Sequence, residues 1–95
     1  MANVNETLSA LMGIDGAMAA AIVDSNSGMV LGKAGGGLDL DLAGAGNTEV
    51  VRAKLKTMKA LGLQDRIEDM LITLGKQYHI IRPMAEKPGV FAYLV

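Results

Sequence analysis

Residues 17–23, AMAAAIV, constrain the fold most, because this run is apolar throughout and rich in alanine. A polar turn of five residues, DSNSG, follows it, and Met29, Val30 and Leu31 continue as a second apolar run. Two apolar runs around a short turn that ends in glycine predict a β-hairpin. Alanine on both faces of the first strand leaves room for helices to approach closely from both sides. We therefore expect this strand to be central in its sheet.

A first helix is predicted over residues 3–12, where apolar residues recur at the spacing of one helical face: Val4, Leu8, Leu11 and Met12. Asn3 is suited to cap the amides of the first turn. Glu6 lies three residues on, as in a capping box. Gly13 supplies the stop.

The strongest helical periodicity covers residues 48–61, and Gly62 is a natural C-terminal cap. The start of this helix is open from the residues alone. Asn47 is a good N-cap, but Asp39 or Asp41 would serve as well. Two glycines just before Asn47 lower helix stability, so local propensity favours the later start.

The remainder of the sequence is rich in β-forming residues. Its apolar runs cover residues 67–74, 77–83 and 90–95, and short polar connections separate them. Connections of that length predict an antiparallel meander. The order helix, strand, strand, helix and three strands indicates an α+β fold: a five-stranded antiparallel sheet with helices on both faces. At 95 residues, we expect a single domain over residues 1–95.

Composition excludes several classes of protein. The absence of cysteine excludes a disulfide framework, thiolate metal sites and cysteine nucleophiles. Aromatic residues make up 3% of the chain, which argues against base-stacking surfaces for single-stranded nucleic acid. No basic segment precedes an N-terminal apolar stretch, and the longest apolar run is too short to span a bilayer. We expect a cytoplasmic protein without membrane insertion.

Residues 28–34, GMVLGKA, raise the question of a phosphate-binding loop, because a Gly-Lys pair follows an earlier glycine. Such a loop reads G-x4-G-K-[ST], follows a strand and opens a helix. Here the gap between the glycines is one residue short, and Ala34 stands where a hydroxyl residue is needed. The interior is apolar, as a strand requires. We interpret the segment as the second hairpin strand with a glycine-rich exit, and we expect no nucleotide cofactor.

Other catalytic or metal-binding patterns are weak. His79 is the only histidine, and no sequence signal supplies a nucleophile or an orienting group for it. We interpret it as a packed or partly exposed strand histidine. Glu68 and Asp69 are adjacent in a predicted strand, so their side chains would point to opposite faces. Asp39 and Asp41 share a spacing with calcium loops but lack the glycine and terminal glutamate. We expect neither a catalytic site nor a metal site.

Charge is spread unevenly around a net charge of −1: residues 1–49 carry one basic and six acidic side chains, and residues 50–95 carry eight basic and four acidic ones. On the second helix, a basic stripe of Arg52, Lys56 and Lys59 lies about a quarter turn from the apolar stripe of Val51, Leu55 and Met58. The basic stripe is either a solvated face that suits a helix C-terminus or a docking surface for an acidic protein. Net negative charge and few aromatics argue against nucleic acid.

The sequence resembles the bacterial branch of the Roadblock family of dynein-light-chain-related domains in three segments: GAMAAAIVDSNSGMVLG, EVVRAKLKTMKALGLQDRIEDMLITLGKQYHIIRP and PGVFAYLV. The resemblance covers nearly the whole chain. It rests on the order of the elements, the D-S-N-S-G turn and the segment from IEDMLITLG to IIRP. It implies a profilin- or Roadblock-like fold.

The resemblance also implies details of the helices. The second helix should begin nearer Asp41 than Asn47, and four small residues should let another helix come close: Ala43, Gly44, Ala45 and Gly46. Family members usually carry a final helix after the last strand, whereas this sequence stops at Val95. One face of the sheet is therefore expected to be covered only by the short first helix.

The function that the resemblance implies is non-enzymatic. Roadblock-type domains act as homodimeric or heterodimeric platforms that bind and regulate Ras-like small GTPases, or they scaffold motor or signalling complexes. For this chain the resemblance implies a dimeric regulator of a Ras-like small GTPase. The alternative is a structural adaptor in a signalling or motility complex without a GTPase partner.

We expect a homodimer joined along the strand of residues 67–74 and the second helix. This strand lies at one end of the meander, is apolar over most of its length, and contains no proline or lysine. An unprotected strand edge invites pairing with another chain. The expected interface residues are Val51, Leu55, Met58, Ile67, Asp69, Met70, Leu71, Ile72 and Leu74.

Overall fold

The computed structural model describes residues 3–95, in which two helices and five strands follow the expected order. The elements are α1 Val4–Met12, β1 Ala19–Asp24, β2 Met29–Gly35, α2 Leu40–Ala60, β3 Met70–Thr73, β4 Tyr78–Pro83 and β5 Val90–Leu94. The strands form one antiparallel sheet in the order β2-β1-β5-β4-β3. The predicted α+β fold is confirmed.

Strand β1 lies inside the sheet, between β2 and β5, as its alanine content predicts. Ala19, Ala20 and Ala21 have no exposed surface. The odd-numbered residues of β1 pack in a cluster with Val51 of α2, and the even-numbered ones pack in a cluster with Leu8 of α1. Because successive strand side chains point to opposite faces, the two helices lie on opposite faces of the sheet.

Helix α1 covers only part of its face of the sheet, since it packs mainly on β1 and β2. A cross-strand row on that face runs through Ala20, Leu94, Ile80 and Leu71. Exposure rises along this row: Ala20 is buried, Leu94 and Ile80 are half-buried, and Leu71 is 60% exposed. Within residues 3–95, the part of this face over β3 and β4 is uncovered, as the resemblance implied.

Both helices begin at side-chain caps. The Asn3 carboxamide oxygen accepts a hydrogen bond from the Glu6 backbone N–H at 2.8 Å. The Asp39 carboxylate accepts one from the Leu42 N–H at 3.1 Å. Helix α2 therefore starts close to the position that the resemblance implied, and the later start after Asn47, favoured by local propensity, is wrong.

The early start of α2 depends on a close contact at Gly44. A Cβ atom at this position would lie 2.7 Å from Cγ2 of Val30 and 3.4 Å from Cγ2 of Val23. Gly44 thus lets α2 approach its own β-hairpin, and packing offsets a helix-propensity cost of about 1 kcal/mol. The expectation that Gly44 receives another helix is wrong for this reason. Ala45 and Gly46 are exposed.

Helix α2 ends in a Schellman motif. The Gly62 N–H donates to the Lys59 carbonyl at 3.1 Å, and the Leu63 N–H donates to the Met58 carbonyl at 3.0 Å. Gly62 has a φ of 71°, which an L side chain rarely adopts. The glycine stop signal seen in the sequence is confirmed.

The GMVLGKA segment is a strand over nearly its whole length. Strand β2 runs from Met29 to Gly35, so the glycine-rich exit begins later than predicted. Gly32 and Lys33 pair with Ile22 and Ala21 of β1, and the register shifts at a β-bulge around Leu31. A Cβ atom at Gly32 would clash with Val4 of α1. This glycine therefore serves helix packing.

Strand β3 is shorter than the predicted strand of residues 67–74. It pairs with β4 only from Met70, opposite Ile81, to Thr73. Continuing this register places Glu68 opposite Pro83, which has no N–H to donate to the ladder. On its other side, Pro83 lies opposite Phe91 of β5. The strand prediction for residues 67–69 is wrong in this structure, and Glu68 and Asp69 lie outside the strand.

Candidate interaction surface

The apolar stripe of α2 divides into buried and exposed members. Val51 and Met58 are buried, and Val51 belongs to the core cluster on the α2 face of the sheet. Leu55 belongs to the same stripe but is 48% exposed. It lines a groove of about 850 Å³, together with Val51, Ile67 and Phe91. Leu55 is thus the member of the stripe that presents a large apolar surface outward.

The predicted strand residues lie along one edge of the sheet. Leu71, Ile72 and Leu74 are exposed. Met70 is half-buried and packs against the core cluster of the α2 face. Asp69 accepts a hydrogen bond from Arg82 Nη2 at 2.8 Å. The structure therefore brings the predicted strand residues together at an edge, and it buries two of the three predicted α2 residues.

The backbone of the β3 edge presents unpaired polar groups. The Leu74 N–H donates to the Gln77 carbonyl at 2.8 Å, so these residues form a hydrogen-bonded pair of the antiparallel ladder. Such pairs alternate along the strand. Even-numbered residues therefore bond toward β4, while Leu71 and Thr73 direct their N–H and C=O groups outward. This edge contains neither proline nor lysine.

The opposite edge of the sheet, β2, is built differently. It carries the bulge at Leu31, a lysine at position 33 and a glycine at each of positions 32 and 35. Lys33 Nζ lies 2.8 Å from Asp41 Oδ2 of α2. Bulges and lysines are features that discourage strand pairing. The β2 edge is thus protected against pairing with another strand, whereas the β3 edge is not.

The outward face of α2 was missed by sequence reasoning. At 100° per residue, the positions farthest from the core are Leu42, Glu49, Ala53 and Ala60, and Gly46 lies beside them. All five are exposed, Leu42 to 70%. A Cβ atom at Gly46 would meet nothing within 4 Å. Small residues recur every seven positions on this face, at Gly46, Ala53 and Ala60, and this spacing could have indicated it. The apolar stripe of Val51, Leu55 and Met58 is the stronger pattern, and the prediction followed that stripe.

The basic stripe is only partly unpaired. Arg52 Nη2 donates to the Asn26 carbonyl at 2.6 Å, and Arg52 Nη1 lies 3.7 Å from Glu49 Oε1. Arg52 is therefore tied to the turn between β1 and β2. Lys56 and Lys59 are exposed and form no ion pair within residues 3–95. Within the basic stripe, these two lysines are the cations most available to an acidic partner.

His79 is held in a chain of hydrogen bonds on the α2 face of the sheet. Its Nε2 lies 2.9 Å from Oε1 of Gln77, and its Nδ1 lies 2.8 Å from the hydroxyl of Tyr93. A carboxamide oxygen only accepts, so Nε2–H donates to Gln77 and the Tyr93 O–H donates to Nδ1. The two rings also meet edge to face. Both ring nitrogens are therefore engaged: the bond to Tyr93 joins β4 to β5, and the bond to Gln77 is local to the start of β4.

Replacing Tyr93 by Phe is expected to lower the free energy of unfolding by about 1–2 kcal/mol, because the half-buried Nδ1 of His79 loses its donor. Tyr78→Phe is the matched control: Tyr78 is exposed, and its change is expected within about 0.5 kcal/mol. Urea unfolding at neutral pH measures both. Equal stabilities of the two variants would show that this hydrogen bond contributes nothing.

Alkaline unfolding tests the same residue. Burial raises the pKa of Tyr93 above its ordinary value of 10.0, and a hydrogen bond from Asn47 acts in the opposite direction. A raised pKa means that the neutral phenol stabilises the fold below pH 10 and that this contribution is lost as the pH rises through the folded-state pKa. Tyr93→Phe should therefore lose less stability above pH 10 than the wild type. Parallel curves would contradict this assignment.

Residues 3–95 contain no group of three His, Asp or Glu side chains placed to hold a metal ion. Glu68 and Asp69 do not converge on a common site, since Asp69 is paired with Arg82. Asp39 caps α2, and Asp41 pairs with Lys33. Among the same residues, no helix is long and apolar enough to cross a membrane.

Comparison with solved structures defines the class of fold. A Roadblock/LC7 domain from Streptomyces avermitilis is similar with a TM-score of 0.80 and 13% identity, over 98% of this chain and 77% of that one. The chain therefore has the Roadblock/LC7 fold, as the resemblance implied.

Two structures described as MglB are similar as well. Myxococcus xanthus MglB matches with a TM-score of 0.81 and 17% identity, over 96% of this chain and 72% of that chain. A structure described as MglB with tetrameric arrangement gives a TM-score of 0.79 and 19% identity, over 96% and 68%. No protein-family model matches the sequence, and no curated protein is significantly similar to it.

Proposed function

We propose that this chain is a non-enzymatic, homodimeric platform that binds and regulates a Ras-like small GTPase. The Roadblock/LC7 fold is the observation that carries the proposal, because the resemblance attaches this role to that fold. The unpaired β3 edge and the exposed outer face of α2, on which the small residues Gly46, Ala53 and Ala60 recur every seven positions, support the dimer. His79, Asp69 and Asp41 each bond to another side chain of the protein: Tyr93, Arg82 and Lys33, respectively. This supports a role in binding rather than in catalysis.

In the proposed dimer, two β3 strands pair antiparallel about a two-fold axis and join two five-stranded sheets. The α2 helices of the two protomers approach each other on one face of the joined sheet. The outer small residues of α2, Gly46 and Ala53, then contact the partner helix, whereas Leu55 lies about 180° from Gly46 around α2 and lines the groove beside the sheet. Val51 and Met58 support the helix from beneath. The remaining predicted interface residues, from Ile67 to Leu74, supply the strand contact.

Regulation would work by selection of a conformation. A platform that contacts one arrangement of the GTPase switch loops better than the other shifts their populations by the difference in affinity. An arginine finger needs a guanidinium that reaches the transferring phosphate. Arg52, the arginine on α2, is engaged by Asn26 and Glu49, so we nominate no such residue.

Affinity capture from the native organism tests the function. The immobilised chain is incubated with lysate supplied with either a non-hydrolysable GTP analogue or GDP, and captured proteins are identified by mass spectrometry. The expected result is a small GTPase that is retained in one nucleotide state and, once purified, binds the chain directly. Capture of a stable assembly without any GTPase would support the alternative, a structural adaptor.

The chain alone is expected to bind neither ATP nor GTP, because β2 uses the amides of GMVLGKA for strand pairing and Ala34 supplies no hydroxyl for a metal ion. Isothermal titration calorimetry at millimolar nucleotide should give no saturable heat. Lys33→Ala is the control. Micromolar binding by the wild type that this substitution abolishes would show that the segment is a phosphate site after all.

The basic stripe makes a kinetic prediction for the captured partner. Replacing Lys56 and Lys59 together by Glu should lower the association rate about tenfold at low salt, with a smaller effect at high salt, because long-range attraction is screened. The matched control is the double replacement by Arg, which keeps the charge. An association rate that is unchanged at low salt would show that the basic stripe is a solvated face and not a docking surface.

A further inference from the structure

The C-terminal end of α2 extends past the β1–β2 turn. The Arg52 guanidinium bonds to the Asn26 carbonyl in that turn, and the helix continues from there to Ala60, about 12 Å farther along its axis at 1.5 Å per residue. Between Arg52 and Arg66, Met58 is the one buried residue, and the others are exposed. We call residues 53–64 the projecting end of α2.

The charge of the projecting end is entirely positive. Residues 50–64 carry four basic side chains and no acidic one, whereas residues 65–95 carry four of each sign. The excess positive charge of the C-terminal half of the chain therefore lies in this short segment. Lys54, Lys56 and Lys59 are exposed and form no ion pair within residues 3–95.

Two leucines form the tip of the projecting end. Leu61 and Leu63 stand on either side of Gly62 and are 67% and 53% exposed. The three lysines precede Leu61 by two to seven residues, which is about 3–11 Å along the helix axis. Around that axis, Lys54 lies about 140° from Lys59, so cations flank the tip on more than one side. The tip is thus a small apolar point among cations.

The backbone of the tip is largely satisfied internally. The Leu61 N–H donates to the Thr57 carbonyl at 3.0 Å, and the Schellman bonds occupy the carbonyls of Met58 and Lys59. A helix end otherwise leaves its last carbonyls unpaired, and unpaired polar groups oppose transfer out of water. These bonds lower the cost of moving the tip into less polar surroundings.

We propose that the projecting end of α2 docks on the surface of an anionic phospholipid bilayer. Leu61 and Leu63 enter the boundary between head groups and acyl chains, and the three lysines stay among the lipid phosphates. Leucines beside lysines are the composition of segments that bind at a lipid interface. Each lysine near an anionic leaflet adds an attraction that decays within a Debye length.

The shape of the tip favours a bilayer over an acidic protein. The exposed leucines are convex, so a protein would need an acidic pocket with an apolar floor to receive them. A bilayer offers phosphates above an apolar layer at every point of its surface. Lys56 and Lys59 also belong to the basic stripe, so a bilayer and an acidic protein partner would compete for them.

Tryptophan fluorescence reports on the tip directly, because the chain has no tryptophan of its own. Leu61→Trp should show a blue shift of its emission with vesicles of phosphatidylcholine and phosphatidylglycerol in equal parts, and no shift with phosphatidylcholine alone. Tyr78→Trp is the matched control. Tyr78 is 61% exposed and lies at the end of β4 that pairs with Thr73, away from residues 63–69. Its variant should show no shift with either vesicle.

Vesicle co-sedimentation measures the contribution of each group. Replacing Lys54 and Lys59 together by Ala should lower partitioning into the anionic vesicles about 20-fold, or about fivefold for each lysine. Lys76→Ala, at an exposed lysine in the β3–β4 turn, should change it less than about twofold. Leu61→Ser should lower it about fivefold, because an apolar contact is lost while the charge is kept.

The outcomes separate this inference from the proposed function. An unshifted Leu61→Trp emission with anionic vesicles overturns the bilayer proposal, and so does equal partitioning of the wild type into anionic and neutral vesicles. Leu61→Ser keeps all three lysines, so it should leave the association rate of a captured protein partner unchanged. A Leu61→Ser variant that binds vesicles normally but loses that partner would show that the tip is a protein contact instead.

Discussion

Ile72→Lys is expected to yield a monomer at protein concentrations where the wild type forms the proposed dimer. In the proposed dimer each introduced amine lies at the strand pairing of the two copies, and like charges that face each other across a strand pair destabilise it. Lysine is also a residue that natural edges use to prevent pairing. We expect at least about a hundredfold loss of dimer affinity, measured by sedimentation velocity and light scattering.

Ile72→Val provides the matched control, because it keeps a β-branched apolar side chain at the same position. Circular dichroism separates loss of assembly from loss of fold. Met70→Lys gives a contrasting case: Met70 packs against the core, so this variant should lose both stability and association. Insoluble Ile72→Lys protein would mean that the protomer depends on its partner. A dimer that survives Ile72→Lys unchanged removes β3 from the interface.

Gly44→Ala and Gly46→Ala should change stability in opposite directions, although the two glycines lie two residues apart in one helix. The added methyl at position 44 would sit 2.7 Å from Cγ2 of Val30, so α2 must shift or Val30 must leave its rotamer. Overpacking of this kind costs about 1–3 kcal/mol. At Gly46 the methyl enters open space in the protomer, and alanine in place of glycine stabilises a helix by about 0.5–1 kcal/mol.

Urea unfolding of both variants, at matched protein concentrations, measures the difference. Gly46→Ala also reports on the dimer, because the proposed contact between α2 helices leaves little room for an added methyl at that position. Its dissociation constant should therefore rise while its unfolding free energy rises too. Equal destabilisation by the two substitutions would contradict the packing of α2 on the hairpin.

The order of the elements was predictable because apolar runs and turn residues report local structure. The alanine run of β1 also indicated its interior position, since short side chains on both faces suit close packing by two helices. The start of α2 was different. Its local signal favoured Asn47, and the deciding contact, Gly44 against Val30, joins residues of two separate elements. The residue pattern of one helix cannot indicate a contact with a residue of another element.

The ends of β3 and the exposure of the α2 stripe were unpredictable for related reasons. Glu68 loses its partner because Pro83 falls opposite it, which depends on a register set by the turn at Gly75 and Lys76. Leu55 has the same helical phase as Val51, yet it faces a groove rather than the core. Arg52 bonds to Asn26, 26 residues earlier in the chain. Arg52 looked like an unpaired surface cation in the sequence because the helical pattern shows only its neighbours within α2 and not its partner in the β1–β2 turn.

The inequality of the two sheet edges has a consequence for how large an assembly can become. Strands that add edge to edge resemble a polymerisation, in which every addition exposes a new growing end. In the proposed dimer both β3 edges are consumed, and each terminus is β2 with its bulge at Leu31 and its charge at Lys33. In such a dimer these termini would act as chain stoppers, and assembly would end after one step with a closed dimer instead of a fibre.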